Sequence, residues 1–190
     1  MGITKEGINI LDYRWYDKVS GDDIQQGDII ESCPVLILPS ELSLGPSGTT
    51  TDSQDIPFEC RDVIVMSQTC DMVKGKEKIP EVLLCSVWQK SDFKPGERMA
   101  RNENWEKARK GQLPGFHVLD KCDLEELKRD FRIVDFRRVH SLPLDFIRKI
   151  ANELGKRTRL LPPYREHLSQ AFARFFMRVG LPADIPEFRR

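Results

Sequence analysis

Apolar and polar positions alternate along this chain in short, strand-length stretches, and only towards its end does the period lengthen to that of a helix. The stretch 27–38 (GDIIESCPVLIL) is β-rich, and Pro34 within it lacks a ladder donor, so it marks an edge strand, a bulge or a strand junction. Residues 62–67 (DVIVMS) have the length and apolarity of a buried strand, and 74–80 (KGKEKIP) forms a hairpin-like turn into EVLLCSVW at 81–88. A further strand begins in GFHVLD (115–120), and RIVDFRRVHSLP (132–143) is a longer one with Ile133, Asp135, Arg137 and Val139 expected on one face.

Two helices are predicted to close the chain. The first, LDFIRKIANELG, repeats Ile147, Ile150, Ala151 and Leu154 and stops at Gly155; the second runs from PPYREHLSQ to FMRVG with Leu168, Phe172, Phe175 and Val179 at helical spacing. Residues 97–110 have helix-forming composition ending at Gly111, and 123–130 (DLEELKRD) read as a short helix whose charge order suits its dipole. The chain start reads as irregular, SGDDIQQ (20–26) as a polar turn, and 39–57 as a long mobile loop rich in Ser, Thr, Gly and Pro. Successive strands without regular crossover helices tend to pair antiparallel. The expected fold is therefore α+β: a small, mainly antiparallel barrel over about 25–142, with a helical insertion at about 97–113 and two C-terminal helices at about 143–180.

Composition narrows the class. At 190 residues, 39% hydrophobic and 32% charged, the chain suits a single globular domain and not a disordered one. No apolar run approaches the roughly 18 residues of a membrane span, and the acidic, aromatic first residues lack the apolar core of a leader, so a cytoplasmic protein with no membrane partner is expected. Five cysteines (Cys33, Cys60, Cys70, Cys85, Cys122) without a C-x-x-C pair read as free thiols. The formal charge is zero but unevenly spread, 10 basic against 17 acidic residues in 1–100 and 20 against 13 in 101–190. Either the basic half meets a polyanion, RNA or DNA, or the two halves attract one another within the fold.

Candidate chemistry gathers at the end of the strand 62–67, where Ser67, Gln68, Cys70 and Asp71 arrive together on a rigid support. Turn formation selects the same residue types. Cys70 would be a nucleophile if His117 or His140 raised its thiolate fraction, and Gln68 and Asp71 would shape the pocket. Cysteines and histidines of the right donor types are present, but none stands at finger or ribbon spacing, so neither a metal nor another cofactor is expected. His167, Arg174 and Arg178 lie on one side of the last helix, and Arg137 and Arg138 add charge on the late strand; such a stripe can neutralise phosphates.

The series GDII, RDVIVMS, EVLLCSVW, GFHVLD and RIVDFRRVHSLP followed by a helix, over about 25–155, resembles the PemK/MazF-like growth-inhibitor toxins. That resemblance implies an SH3-like barrel and, as in the family's ribonucleases, an Arg and a Ser or Thr near an RPxVVxS-like strand acting at the scissile phosphate. Arg61 and Ser67 occupy those positions, and a guanidinium is suited to bidentate phosphate contact. The chain departs from the family pattern in lacking its G-x-E-Q loop and in placing Asp62 after Arg61. The run RLLPPYREHLSQAFARFFMRVGLP also resembles a group of bacterial proteins carrying S-Q-x-C-D. The expected function is a nucleic-acid-binding or nucleic-acid-cleaving small barrel, in the second case a toxin-like endoribonuclease, with Arg61, Ser67 and Cys70 catalytic and Gln68, Asp71, His117, His140, Arg174 and Arg178 binding substrate. The alternatives are a Cys70-dependent hydrolase or transferase and a non-catalytic partner subunit of a bacterial complex.

Overall fold

A computed structural model of the chain describes residues 14–37 and 57–177. The elements run β1 (Tyr16–Ser20), β2 (Asp28–Leu36), β3 (Phe58–Val65), β4 (Glu81–Gln89), α1 (Asn102–Arg109), β5 (Phe116–Leu119), β6 (Arg132–Pro143), α2 (Leu144–Leu154), β7 (Lys156–Leu160) and α3 (Tyr164–Phe176). The fold is α+β, with the seven strands in one antiparallel sheet of order β1-β7-β2-β3-β4-β6-β5. Strands β2, β3, β4 and β6 are neighbours, as the sequence pattern implies. No ladder joins β1 to β5, so the sheet is open where a closed barrel requires pairing. Its two edges nevertheless meet: the Tyr16 hydroxyl donates to the Asp120 carbonyl at 2.7 Å, just beyond β5. Glu31 of β2 similarly reaches Arg129 and the fully buried Arg132 of β6.

Period-two alternation sorts the side chains into an inner and an outer core. Tyr16, Ile29, Ile64, Cys85, Leu119, Phe136 and Leu160 converge inside the curl, where Leu168 of α3 plugs them. Ile30, Val63, Val65, Val82 and Leu84 face outward and are covered by Leu144, Ile147 and Ala151 of α2. A smaller outer cluster seats α1 through Ala108 on Phe116 and Ile133. Each fully buried Leu, Ile or Phe contributes about 1.5–3 kcal/mol, so helix placement follows from which face of the sheet each apolar stripe can cover.

The GD at the start of β2 is a fastening. Gly27 has φ +87°, and a Cβ there would stand 3.0 Å from Leu160 Cβ. That approach lets Leu160 N–H donate to the Gly27 carbonyl at 2.9 Å. Asp28, fully buried, receives Arg157 Nε at 2.9 Å and two bonds from Arg159. Past Ile29, β2 has no strand partner on its β7 side among the described residues, so Pro34 forfeits no ladder bond to them; a bulge between Ile30 and Cys33 places Ser32 at φ +53°.

Several expectations are corrected. Residues 123–130 form no helix: Cys122 and Arg129 pair backbone to backbone, because eight residues make too few helical bonds to resist that tertiary pairing. The helix expected over 97–110 is a 3₁₀ turn, Arg98–Ala100, followed by α1, the break at Arg101 being held by Trp105 Nε1 and Asn104 Nδ2 donating to Met99 and Arg98 carbonyls. The chain start, expected to be irregular, contains β1, and the two C-terminal helices are separated by β7. On β6, Ile133 and Asp135 are buried but Arg137 and Val139 are exposed. The β4 ladder passes from Val139 to Asp135 across one residue step of β4, so 136–138 bulge and the alternation changes phase. The expected loop at 39–57 falls, except for Pro57, outside the described residues. No helix among the described residues is long and apolar enough to cross a membrane.

Candidate functional site

The tight turn after β3 uses much of its polar chemistry to hold itself. Ser67 Oγ accepts Leu83 N–H at 2.8 Å, extending the β3–β4 register, and Thr69 Oγ1 accepts Gln26 N–H at 3.1 Å. Gln26 Nε2 in turn donates to the Met66 carbonyl at 2.8 Å in the interior. Asp71 binds Lys78 Nζ at 3.2 Å and stands 3.6 Å from Cys70 Sγ. Gln68 and Cys70 remain exposed, in a cleft shared with Arg165, Glu166 and Ser169 of α3.

Neither histidine proposed to activate Cys70 bonds to it. His140 Nε2 pairs with Ser86 Oγ at 2.9 Å, and His117 Nε2 is sealed from solvent with no hydrogen-bond partner among the described residues. Cys33 and Cys85 are buried, and burial pushes both thiols up to about 12. Among the described residues no group of three His, Cys, Asp or Glu side chains converges to hold a metal.

Arg61 and Ser67 are likewise apart. Six residues of extended chain separate them, about 20 Å at 3.3 Å per residue. Arg61 is placed instead beside His140 on the outer face, between the areas covered by α2 and α1. Its guanidinium carbon lies 5.0 Å from the centre of the Trp88 ring, and that of Arg138 lies 5.7 Å from the same ring. Glu59 binds Arg61 through Nε and Nη2, while Arg61 Nη1 is buried without a hydrogen-bond partner among the described residues. His140 is held below its usual pKa by partial burial, then by Arg61 and Arg138, so it is neutral at pH 7. Ser86 is fully buried, so its pairing orients His140 and does not present a nucleophile.

Beyond Trp88, a cavity of about 240 Å³ continues the face past Phe93, Arg98, Arg137 and Arg138. Asp135, buried, binds Arg137 through both oxygens, at 2.8 Å each. Sequence reasoning assigned no role to Ser86 or Trp88. Both lie in the strand EVLLCSVW, but their proximity to Arg61 and His140 depends on strand register and on the β6 bulge.

His117 and Arg174 line a different cavity, against α3, and Arg178 lies outside the described residues. Much of the basic surplus of the second half is matched inside the fold: Arg157 and Arg159 to Asp28, Arg129 and Arg132 to Glu31, and Arg148 to Glu77. Arg138 and Arg174 have no ion pair among the described residues. Comparison of the chain with models of known protein families finds no match, and comparison with curated protein sequences finds none either.

Proposed function

We propose that this chain is a nucleic-acid-binding domain that takes backbone phosphates on the outer face of its sheet, at Arg61, Arg138 and His140. The observation that carries the reading is the pair of guanidiniums over Trp88, 5.0 and 5.7 Å from its ring centre, Arg61 being paired with Glu59 and Arg138 without an ion pair among the described residues. Arginines interleaved with aromatic surface suit a single strand, whose phosphates meet the guanidiniums while bases find the flat apolar faces. Trp88 and Phe93 supply such faces beside Arg98 and Arg137. Neutral His140, fixed by Ser86, adds a hydrogen-bonding group without a desolvated charge.

The adjacency of β2, β3, β4 and β6, and the contact between the sheet edges, support a PemK/MazF-like, SH3-like scaffold opened by the added strands. The reading is confined to binding, because Arg61 lies within β3 and Ser67 in the turn beyond its end, so the two do not meet at one phosphate. The test is binding of labelled single-stranded RNA and DNA over a salt series. Each lost phosphate contact lowers the slope of log K against log salt by about 0.7 for a single strand, so Arg61→Ala and Arg138→Ala should each lower it by that amount. Absent binding, or slopes identical to the parent's in both variants, would overturn the reading.

A further inference from the structure

We propose that the cavity between β5, α1 and α3 is a binding site for a small aromatic anion of the size of a nucleoside monophosphate. The cavity, about 590 Å³, lies at the end of the sheet where β5 has no ladder partner on its outer edge among the described residues. Its size falls within the range of small-molecule sites. Its lining combines two kinds of surface that such a ligand needs.

Trp15 and Phe131 offer aromatic faces. Trp15 is already fixed, stacked on Tyr164 with ring centres 3.7 Å apart and planes 9° from parallel, so it lines the cavity as a rigid wall. Against these faces stand His117, His167 and Arg174. His117 stands in the wall from β5, with its Nε2 sealed and without a hydrogen-bond partner among the described residues. Burial, then His167, pushes its pKa down to about 4, so this part of the wall is a neutral imidazole. Arg174, on the last turn of α3, has no ion pair among the described residues, whereas Arg109 across the mouth is occupied by Glu106. One free guanidinium at the rim matches one anionic group.

A planar ring against Trp15, with a phosphate at Arg174, satisfies both kinds of surface. A purely apolar ligand would leave Arg174 unpaired, and free phosphate would leave the aromatic surface unused. The site shares neither Arg61, Arg138 nor His140 with the outer face, so its failure and that of the nucleic-acid reading are separable.

The experiment is titration calorimetry of the full chain with adenosine and guanosine 5′-monophosphates, the matching nucleosides and inorganic phosphate. At least one monophosphate should bind saturably, with its nucleoside about tenfold weaker and inorganic phosphate weaker still. Arg174→Ala should cost the monophosphate about tenfold and leave the nucleoside's affinity unchanged. Arg61→Ala and Arg138→Ala should change neither ligand's affinity. Circular dichroism and thermal transitions of each variant establish that it is folded. No saturable binding of either monophosphate, or affinities indifferent to Arg174→Ala, would overturn the proposal.

Discussion

Replacing Asp28 by asparagine exchanges one carboxylate oxygen for an amide NH2 and changes almost no volume, yet it should remove a large part of the stability of the fold. Asp28 is fully buried and Arg157 is 1% exposed; the carboxylate takes Arg157 Nε at 2.9 Å, Arg159 Nη2 at 3.0 Å and Arg159 Nε. An asparagine amide would keep one acceptor but point two donors at a guanidinium that has only donors. Breaking a buried ion pair by removing one partner costs about 3–5 kcal/mol, because a charge is left uncompensated in the interior. The lower end applies here, since Arg157 retains its bonds to the Gly21 and Asp23 carbonyls at 2.7 and 2.6 Å. A loss of about 3 kcal/mol compares with a total of roughly 5–15 kcal/mol for a domain of this class. Urea unfolding of the parent and of Asp28→Asn should show a lower midpoint with an unchanged slope, the signature of altered stability rather than altered compactness. A difference below about 1 kcal/mol, at equal slope, would refute the argument that this pair fastens β2 to β7.

Two further outcomes are expected. His117 has a folded pKa of about 4 against an ordinary 6.5, so between those values the unfolded chain binds a proton that the native chain refuses. Stability contributed by the neutral imidazole is therefore fully present above about pH 6.5 and lost as pH falls towards 4, by at most about 3 kcal/mol. Urea midpoints at pH 7, 6, 5 and 4 should fall less steeply in His117→Asn than in the parent; parallel curves would remove His117 as the cause. Iodoacetamide should label the exposed Cys60 and Cys70 well before the buried Cys33, Cys85 and Cys122, as mass spectrometry of timed samples would show. Labelling of Cys33 or Cys85 in step with Cys60 under native conditions would contradict the inner and outer cores described above.

Local pattern was enough to locate β2, β3, β4, β6, α2 and α3, because each carries a period set by its own backbone geometry: two in the strands, near 3.6 in the helices. It also located the turn at 67–71, the proximity of its polar residues being a matter of chain continuity. Strands β1 and β7 were illegible for the opposite reason. YDKVS and KRTRL have no apolar alternation of their own; β7 is a strand because Arg157 and Arg159 find Asp28, which lies 129 and 131 residues away. The same separation of scales governs the candidate sites. Arg61, His140, His117 and Arg174 could be nominated by residue type, but which of them share a site was set by strand register, by the bulge at 136–138 and by where α3 closes the curl. Those features place Arg61 with His140 over Trp88, set His117 with Arg174 in a separate cavity, and leave Cys70 without either histidine. A sequence states what each side chain can do; only long-range pairing, whose partners are chosen by burial and charge compensation across the whole chain, decides which of them act together.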